Sequence, residues 1–183
     1  MKKTASVCLL AASFLAVLFM YSCGSVPSEE LKASIQVTDV ETKWVSKYYQ
    51  PWPPRLILVP VVSFRVKNVG TRPLIHVNFN GIFKFKGDPE NLGDNFLAAI
   101  RSKAVNPGET SEVITLKSNF GVEGKTVASF KDNVQWKPTE VKLYARSKGS
   151  QFVLLGEWGI SRTIDFVEPA PVDIKKEEPA NPQ

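Results

Sequence analysis

Few residues in this chain have side chains that could carry out chemistry. It contains one histidine, His76, and two cysteines, Cys8 and Cys23. A Ser-His-Asp site needs a histidine that is oriented by a carboxylate and touches a nucleophile, and no such motif surrounds His76. A metal site needs several ligands at defined spacing. The sequence therefore predicts that the protein is not an enzyme and has no catalytic residue, no metal site and no cofactor.

Carboxylates are the remaining groups that could act together. Asp88, Glu90 and Asp94 lie close in sequence but lack the Asp-x-Asp-x-Asp-Gly spacing of a calcium loop, so we interpret them as part of a solvated loop. A glycoside hydrolase needs two acids that face one bond, and the sequence does not say which strands would bring two acids together. An accessory glycan-acting, hydrolase-like domain that uses strand-end carboxylates stays open as the alternative function. The acids at predicted turns and polar faces are Glu109, Glu112, Glu123, Glu140 and Glu157.

Cys23 follows a segment that is typical of exported proteins. Lys2 and Lys3 precede an apolar run over residues 7–20, and the small residue Ser22 stands directly before the cysteine. A basic start, a short apolar run and a small residue at the cut form a secretory signal peptide. The apolar run is shorter than the roughly 20 residues that a membrane-spanning helix needs. Residues 1–22 are therefore predicted to be a signal peptide that is removed.

The ending Ser22-Cys23-Gly24 resembles the signal of bacterial lipoproteins. That resemblance implies cleavage before Cys23, acylation of this residue with chains such as palmitate, and attachment to a lipid bilayer. Each buried methylene contributes about 0.8 kcal/mol, so two or more chains hold a protein on a membrane for long times. Gly24 is not the Asp that retains lipoproteins at the inner membrane of enteric-type bacteria. The expected location is the cell envelope, at the periplasmic face of the outer membrane where the organism has one.

Composition divides the rest of the chain into three parts. Residues 23–32 are polar and are predicted to be a lipidated tether, and residues 33–167 are predicted to be one domain. Residues 168–183 are rich in proline and charge and lack aromatic residues, so we expect a disordered tail. Once Cys8 is removed and Cys23 is acylated, the domain has no thiol left for a disulfide.

The charge of the chain argues against one class of partner. The formal net charge is +5, but lysines and glutamates are interspersed and no basic stripe is visible. Because nucleic-acid binding needs several clustered phosphate contacts, we predict no nucleic-acid partner.

From residue 33 onward the hydrophobic pattern has a period of two, which indicates strands with one buried face. Val62, Phe64 and Val66 alternate with polar residues, and after Pro73 the same parity is shared by Ile75, Val77, Phe79, Phe83 and Phe85. Gly81 interrupts this second run, where we expect a bulge or a close backbone approach. Pro107-Gly108 predicts a type II turn, and Ser147 to Ser150 predicts a hairpin turn.

One stretch predicts a helix. Asp94 can cap it, and Phe96, Leu97 and Ile100 then fall on one side of two turns. This stretch lies in an insertion over residues 87–104.

Seven to eight short strands with regularly spaced turns predict an all-β fold, a single antiparallel β-sandwich with one short helical insertion. The segments VSFRVKNVGTRPL (62–74) and VNPGETSEVITL (105–116) resemble the immunoglobulin-like or fibronectin-like modules of bacterial envelope proteins. The resemblance implies the fold and says almost nothing about a ligand.

Aromatic residues give the candidate binding surface. Trp44, Tyr48, Tyr49 and Trp52 crowd into residues 43–55 beside three prolines, which predicts a stiff, irregular loop. Such a loop could present the rings to a partner at low entropic cost, or the rings could fold back and plug one end of the sandwich. Residues 119–133 form a second candidate loop, in which Val127 and Phe130 could equally belong to a short strand.

These observations together predict a non-enzymatic, membrane-anchored envelope lipoprotein. Its sandwich loops would bind a protein or polysaccharide partner of the cell envelope.

Overall fold

The structure is a computed structural model that describes residues 27–169. The predicted signal peptide, Cys23 and residues 170–183 of the predicted tail lie outside the described residues. The described chain forms two β-sheets that pack face to face, together with one short helix, α1 (Ser28–Ser34). The prediction of an all-β sandwich is confirmed.

Nine strands are present in the described part of the chain. Their bounds are β1 Ile35–Gln50, β2 Arg55–Asn68, β3 Val77–Phe85, β4 Asn91–Ile100, β5 Ile114–Lys117, β6 Val122–Gly124, β7 Thr139–Ser147, β8 Val153–Gly159 and β9 Ile164–Asp165. Sheet A has the order β5-β2-β1-β9, with β6 also paired to β2, and sheet B has the order β4-β3-β7-β8. All pairings are antiparallel except that of β1 with β9.

A long hairpin of β1 and β2 forms the centre of sheet A. Its register runs from the pair Ile35↔Asn68 to the pair Gln50↔Arg55. A register shift beside Asp39, whose φ is 51°, marks a bulge in β1. β1 alone has 16 residues, which corresponds to a length of about 50 Å at roughly 3.3 Å per residue. The hairpin therefore extends over most of the length of the sandwich, from one end to the other.

The core lies between the inner faces of the two sheets. Phe64 of sheet A meets Phe79 of sheet B with ring centroids 5.4 Å apart, and neither ring is exposed to solvent. Burial of each such large side chain contributes about 1.5–3 kcal/mol. Gly81 allows the sheets to approach here, because a Cβ at this position would lie 3.1 Å from Leu116 Cδ1. The strand register continues through Gly81 without a shift, so of the two predicted alternatives the close approach is the one observed.

The turns predicted from Pro and Gly are present. Glu109 N donates a hydrogen bond of 3.0 Å to Asn106 O, and Gly108 between them has a φ of 84°, as a type II turn requires. The turn that follows Ser147 connects β7 to β8, with a φ of 81° at Gly149.

The helix predicted over Asp94 to Ile100 is wrong, because these residues belong to strand β4. Leu97 pairs opposite Phe79 and Ile100 opposite Val77, with a register shift between the two pairs. The extra residue of this bulge turns both Leu97 and Ile100 toward the core. Their spacing of three residues therefore imitates the period of a helix.

The helix that does form lies in the segment predicted to be a tether. α1 contains Leu31, whose side chain is fully buried in the core, and Val69 N donates a hydrogen bond of 2.9 Å to Ser34 O at the end of the helix. Residues 28–34 therefore pack onto the domain that was predicted to begin at residue 33. A single leucine among polar residues gave no periodic signal, so only its burial shows that the helix is part of the domain.

The start of β3 also differs from the prediction. Ile75 was expected to share the buried face of Val77, but Ile75 is exposed and β3 begins at Val77. His76 between them has a φ of 54°. This left-handed conformation interrupts the extended backbone, so the alternation of buried and exposed residues begins only at Val77.

None of the described helices has the length and apolarity that crossing a membrane requires.

Candidate functional site

The aromatic segment over residues 43–55 is a hairpin and not the irregular loop that its prolines predicted. Strand β1 continues to Gln50 and β2 begins at Arg55, so the turn comprises only residues 51–54. All three prolines lie within this turn, where they remove no hydrogen bond from the sheet. The sequence therefore located the turn correctly but extended it too far into the strands.

Two of the four candidate rings are unavailable to a partner. Trp44 is 1% exposed and meets Trp136 edge to face, with ring centroids 5.8 Å apart. Tyr49 is half-buried against Phe166, with ring centroids 5.3 Å apart. The prediction of Trp44 as a binding residue is wrong, because β1 carries it into the core, where it plugs one end of the sandwich. Tyr49 takes part in the same packing.

The other two rings lie at the tip of the hairpin and face solvent. Trp52 is 84% exposed and Tyr48 is 41% exposed. The Gln50 side chain holds the turn, because its Nε2 donates a hydrogen bond of 3.0 Å to Trp52 O and its Oε1 accepts one from the Tyr48 hydroxyl. The Trp52–Pro53 peptide bond is cis. The hairpin tip, defined as residues 48–54, thus presents two rings on a backbone fixed by side-chain hydrogen bonds.

Arg55 ties the hairpin tip to strand β6. Its guanidinium carbon lies 5.6 Å from the centroid of the Tyr48 ring, and its Nη2 lies 2.9 Å from Glu123 Oε2. The hydrogen bond from Arg55, together with its charge, lowers the pKa of Glu123. Glu123 is therefore an ionised partner of the arginine and fixes the orientation of the tip.

The second candidate segment, residues 119–133, splits into a buried and an exposed part. Val122–Gly124 forms β6, and Ala128–Phe130 forms a 3-10 turn in which Phe130 is fully buried. Phe120 is exposed, and Lys47 Nζ lies 5.8 Å from the centroid of its ring. Sequence reasoning did not single out Phe120. Phe120 stands directly before Gly121, whose missing side chain lets the backbone approach Leu58 O. This neighbouring glycine is the sequence signal that could have identified Phe120.

Four of the five acids singled out from the sequence are engaged in ion pairs or turn hydrogen bonds, namely Glu109, Glu112, Glu123 and Glu157. Glu112 lies 2.7 Å from Lys103 Nζ, and Glu157 lies 3.5 Å from Lys142 Nζ. Glu109 accepts hydrogen bonds from the backbone and side chain of Asn106, and these lower its pKa. The pKa of Glu112 is lowered by the hydrogen bond from Lys103. A general acid needs a raised pKa, so Glu109 and Glu112 have the opposite of what an acid catalyst requires.

His76 is exposed, and its backbone N donates a long hydrogen bond, 3.4 Å, to Arg101 O. Within residues 27–169, no three His, Cys, Asp or Glu side chains gather in a group that could hold a metal ion. The segment around Asp88 packs differently from a calcium loop, because Asp88 Oδ2 pairs with Lys137 Nζ at 3.1 Å.

A groove of about 550 Å³ lies between the end of β4 and residues 109–115. The ion pair between Lys103 and Glu112 joins its two walls. Lys103 and Glu112 are therefore paired with each other, while Arg101 and Glu109, which also line the groove, bond to Ala98 O and Asn106 N.

The hairpin tip and α1 lie at opposite ends of the molecule. β1 begins directly after α1 and reaches the tip through its whole length. We call the end that carries α1 the anchor end. It also contains residues 69–76, residues 101–104 and the turn after Ser147, which meet through the pairs Leu74↔Val105 and Val77↔Ser147.

Comparison with known proteins gives a likeness of overall shape only. No protein-family model and no curated protein matches the chain. The putative ApaA protein from Bordetella pertussis is similar, with 14% identity over 70% of this chain and 94% of that chain and a TM-score of 0.36. A Northeast Structural Genomics Consortium target has 12% identity over 72% and 89% and a TM-score of 0.39. A protein from Archaeoglobus fulgidus has 10% identity over 69% and 98% and a TM-score of 0.33. At these values the likeness carries no conclusion about function.

Proposed function

We propose that this chain is a non-enzymatic, membrane-anchored envelope lipoprotein that binds a partner through the hairpin tip. The observation that carries the proposal is the exposure of Trp52, 84%, at the end of the molecule opposite α1. Large aromatic side chains of monomeric proteins are ordinarily buried, and exposed ones on a fixed backbone mark contact surfaces.

The anchor half of the proposal comes from the sequence and fits the position of α1. Cys23 precedes Pro27 by four residues, and fully extended this segment spans at most about 14 Å. An acylated Cys23 would therefore keep the anchor end close to the bilayer. The hairpin tip would then project away from the membrane by about the length of β1, roughly 50 Å.

The binding half of the proposal comes from the fixed geometry of the tip. Gln50 bonds to both Tyr48 and Trp52, and Arg55 stacks on Tyr48 while it pairs with Glu123. Because these contacts form without a partner, binding would not have to order the tip, which lowers the entropic cost of association. Flat rings with hydrogen-bonding groups beside them suit a peptide or the apolar face of a sugar. The partner class is thus an envelope protein or polysaccharide.

A site-specific photocrosslink tests the proposal. A photoreactive phenylalanine analogue replaces Tyr48 in the full chain, and the same analogue replaces Glu140 on the outer face of sheet B as a matched control. In native envelopes we expect an adduct from position 48 and none from position 140. Trp52→Ala in the position-48 protein should remove the adduct. Equal adducts from the two positions, or an adduct that survives Trp52→Ala, would exclude the hairpin tip as the binding surface.

The nature of the partner follows from the same adduct. Digestion with a protease and digestion with a glycan hydrolase, carried out on separate samples, distinguish a protein partner from a polysaccharide partner.

A further inference from the structure

A cluster of two phenylalanine rings and one arginine covers part of the outer face of sheet B. Phe96 of β4 and Phe152, just before β8, meet edge to face with ring centroids 6.4 Å apart. The guanidinium carbon of Arg146 lies 5.4 Å from the centroid of Phe96 and 4.7 Å from that of Phe152. We call these three residues the ring cluster.

The ring cluster faces solvent rather than the core. Phe96 is 51% exposed and Phe152 is 39% exposed. Phe96 pairs opposite Asn80, which in turn pairs opposite Tyr144 on β7. Tyr144 pairs with the exposed Leu154. One row across all four strands of sheet B thus continues the cluster with a further exposed apolar side chain, Leu154.

Arg146 has no acidic partner in the described part of the chain. The ion pairs found there use other basic residues, and the contacts of the Arg146 guanidinium are with the two rings. A cation held over aromatic rings remains able to bind an external anion. The cluster therefore combines an apolar surface with an available cation.

The cluster lies at the anchor end, close to the point where the chain would join its lipid. Ser28 Oγ, at the start of α1, donates a hydrogen bond of 3.2 Å to Gln151 O. Phe152 is the next residue along the chain. The segment from Cys23 to Pro27, which has three residues between its ends, can span only about 14 Å. An acyl chain on Cys23 would consequently enter the bilayer beside Phe152.

The charges of the anchor end sum to a positive value. Within α1, residues 69–76, residues 101–112 and residues 146–152 the acidic residues are Glu29, Glu30, Glu109 and Glu112. The basic residues there are Lys32, Arg72, Arg101, Lys103, Arg146 and Lys148. Glu30 is neutralised by Arg72 and Lys103 is paired with Glu112, which leaves an excess of lysine and arginine. Such residues next to a bilayer are attracted to anionic lipid headgroups.

We propose that the ring cluster is a second membrane contact, in which Phe96 and Phe152 enter the headgroup region and Arg146 binds lipid phosphates. This inference rests on the proposed acylation of Cys23, which supplies the proximity. The domain then lies with the anchor end of sheet B against the bilayer, and the hairpin tip points away from it. Apolar rings flanked by cations are the composition that binds at a membrane interface.

The test measures depth in the bilayer at two matched positions of the full acylated protein. A single cysteine replaces either Leu154, beside the ring cluster, or the exposed Lys125, at the opposite end of the molecule. Each is labelled with an environment-sensitive fluorophore, and the protein is placed in vesicles of phosphatidylethanolamine and phosphatidylglycerol that contain a lipid with a nitroxide near its headgroup. We expect several-fold stronger quenching of the label at position 154 than at position 125, with a blue-shifted emission.

A parent protein without an added cysteine distinguishes a failure of the proposed acylation of Cys23 from a failure of the proposed second membrane contact. If it takes up the label, Cys23 is a free thiol and the proposed anchor fails. If it stays unlabelled and bound to vesicles while positions 154 and 125 are quenched equally, the anchor stands and the second contact is overturned.

A variant of the cluster tests whether these residues make the contact. Phe152→Ser combined with Arg146→Glu should reduce the quenching at position 154 severalfold, and quenching at position 125 should remain as it was. Unchanged quenching at position 154 would overturn the proposal. A blue shift at position 154 without lipid quenching, which grows with protein density on the vesicle, would also overturn it, because a second copy of the chain would then cover the face.

Discussion

Trp44 and Trp136 meet edge to face, with ring centroids 5.8 Å apart and an interplanar angle of 82°. The centroid of the Trp136 ring in turn lies 5.7 Å from that of Phe130. The guanidinium carbon of Arg162 lies 4.3 Å from the centroid of the Trp136 ring. This chain of contacts fills the sandwich beneath the hairpin and fixes the base of the hairpin to the core. The exposed rings Tyr48 and Trp52 therefore stand on a rigid support.

The two tryptophans of the hairpin should respond differently to truncation. Trp44→Ala removes a fully packed ring, so it should lower the free energy of unfolding by about 3–5 kcal/mol. Trp52→Ala removes an exposed ring and should change it by less than about 1 kcal/mol. Urea denaturation of the two variants measures both values. A loss in the larger range for Trp52→Ala would mean that its ring is structural and would remove it from the binding surface.

Gly121 should tolerate no side chain. A Cβ there would collide with the backbone carbonyl of Leu58, so Gly121→Ala must displace β2 or β6 and should cost more than about 2 kcal/mol. Gly159→Ala is the matched control, because nothing lies within 4 Å of the added methyl group, and it should stay within about 0.5 kcal/mol of the parent. Similar denaturation midpoints for the two variants would contradict the packing of residue 121 against β2.

A strand and a helix over residues 94–100 predict different burial for the neighbouring side chains Phe96 and Leu97. Leu97 turns toward the core and its neighbour Phe96 turns outward, whereas in a helix both would lie on one side. Leu97→Ser should therefore cost about 1–3 kcal/mol and Phe96→Ser less than about 1 kcal/mol. Equal losses, measured by chemical denaturation, would favour the helix that the sequence predicted.

The pair Glu30–Arg72, which joins α1 to the loop after β2, should give a pH-dependent contribution to stability. The hydrogen bonds and the charge of Arg72 lower the pKa of Glu30. Because the folded-state pKa is depressed, the contribution is present above the ordinary carboxyl pKa and is lost as the pH falls through the folded value. Glu30→Gln should thus be less stable than the parent near neutral pH, and the difference should shrink as the pH falls through the depressed pKa of Glu30. A difference that persists in acid would mean that packing, not charge, accounts for it.

The proposed lipid attachment has a direct test in cells. Cys23→Ala should abolish acylation and either release the protein from the membrane or leave it as an uncleaved precursor. Metabolic labelling with an alkynyl fatty acid measures this, with Ser22→Ala as a control that keeps a small residue before the cysteine. Label that persists in Cys23→Ala would exclude this residue as the acylated one.

Several features of the fold could be predicted from the sequence because they depend on neighbours along the chain. The alternation of Val62, Phe64 and Val66 predicted a strand with one buried face, and that strand forms. Pro107-Gly108 predicted a turn because both residues restrict their own backbone angles, and that turn forms. The export signal at Cys23 is equally local, and it stays a prediction because it lies outside the described residues.

The candidate site could be predicted only in part. Sequence reasoning found the hairpin tip through its prolines and rings, but it placed Trp44 among the exposed residues. It also missed Phe120 and the ring cluster, whose members Phe96, in β4, and Phe152, just before β8, are far apart in the sequence. Distant residues that meet across a sheet leave no pattern in a single sequence.

The period-two strands, the turns and the segment that carries the rings follow from local properties of the chain, since backbone geometry and side-chain alternation involve only neighbouring residues. Tertiary packing sets which rings are buried, because burial depends on what distant parts of the chain bring against them, as the loop before β7 brings Trp136 against Trp44. It also decided that Leu97 and Ile100 share the buried face, since a bulge added one residue to the strand. Helix α1 is part of the domain for the same reason: its one leucine, Leu31, is buried among core residues from distant strands.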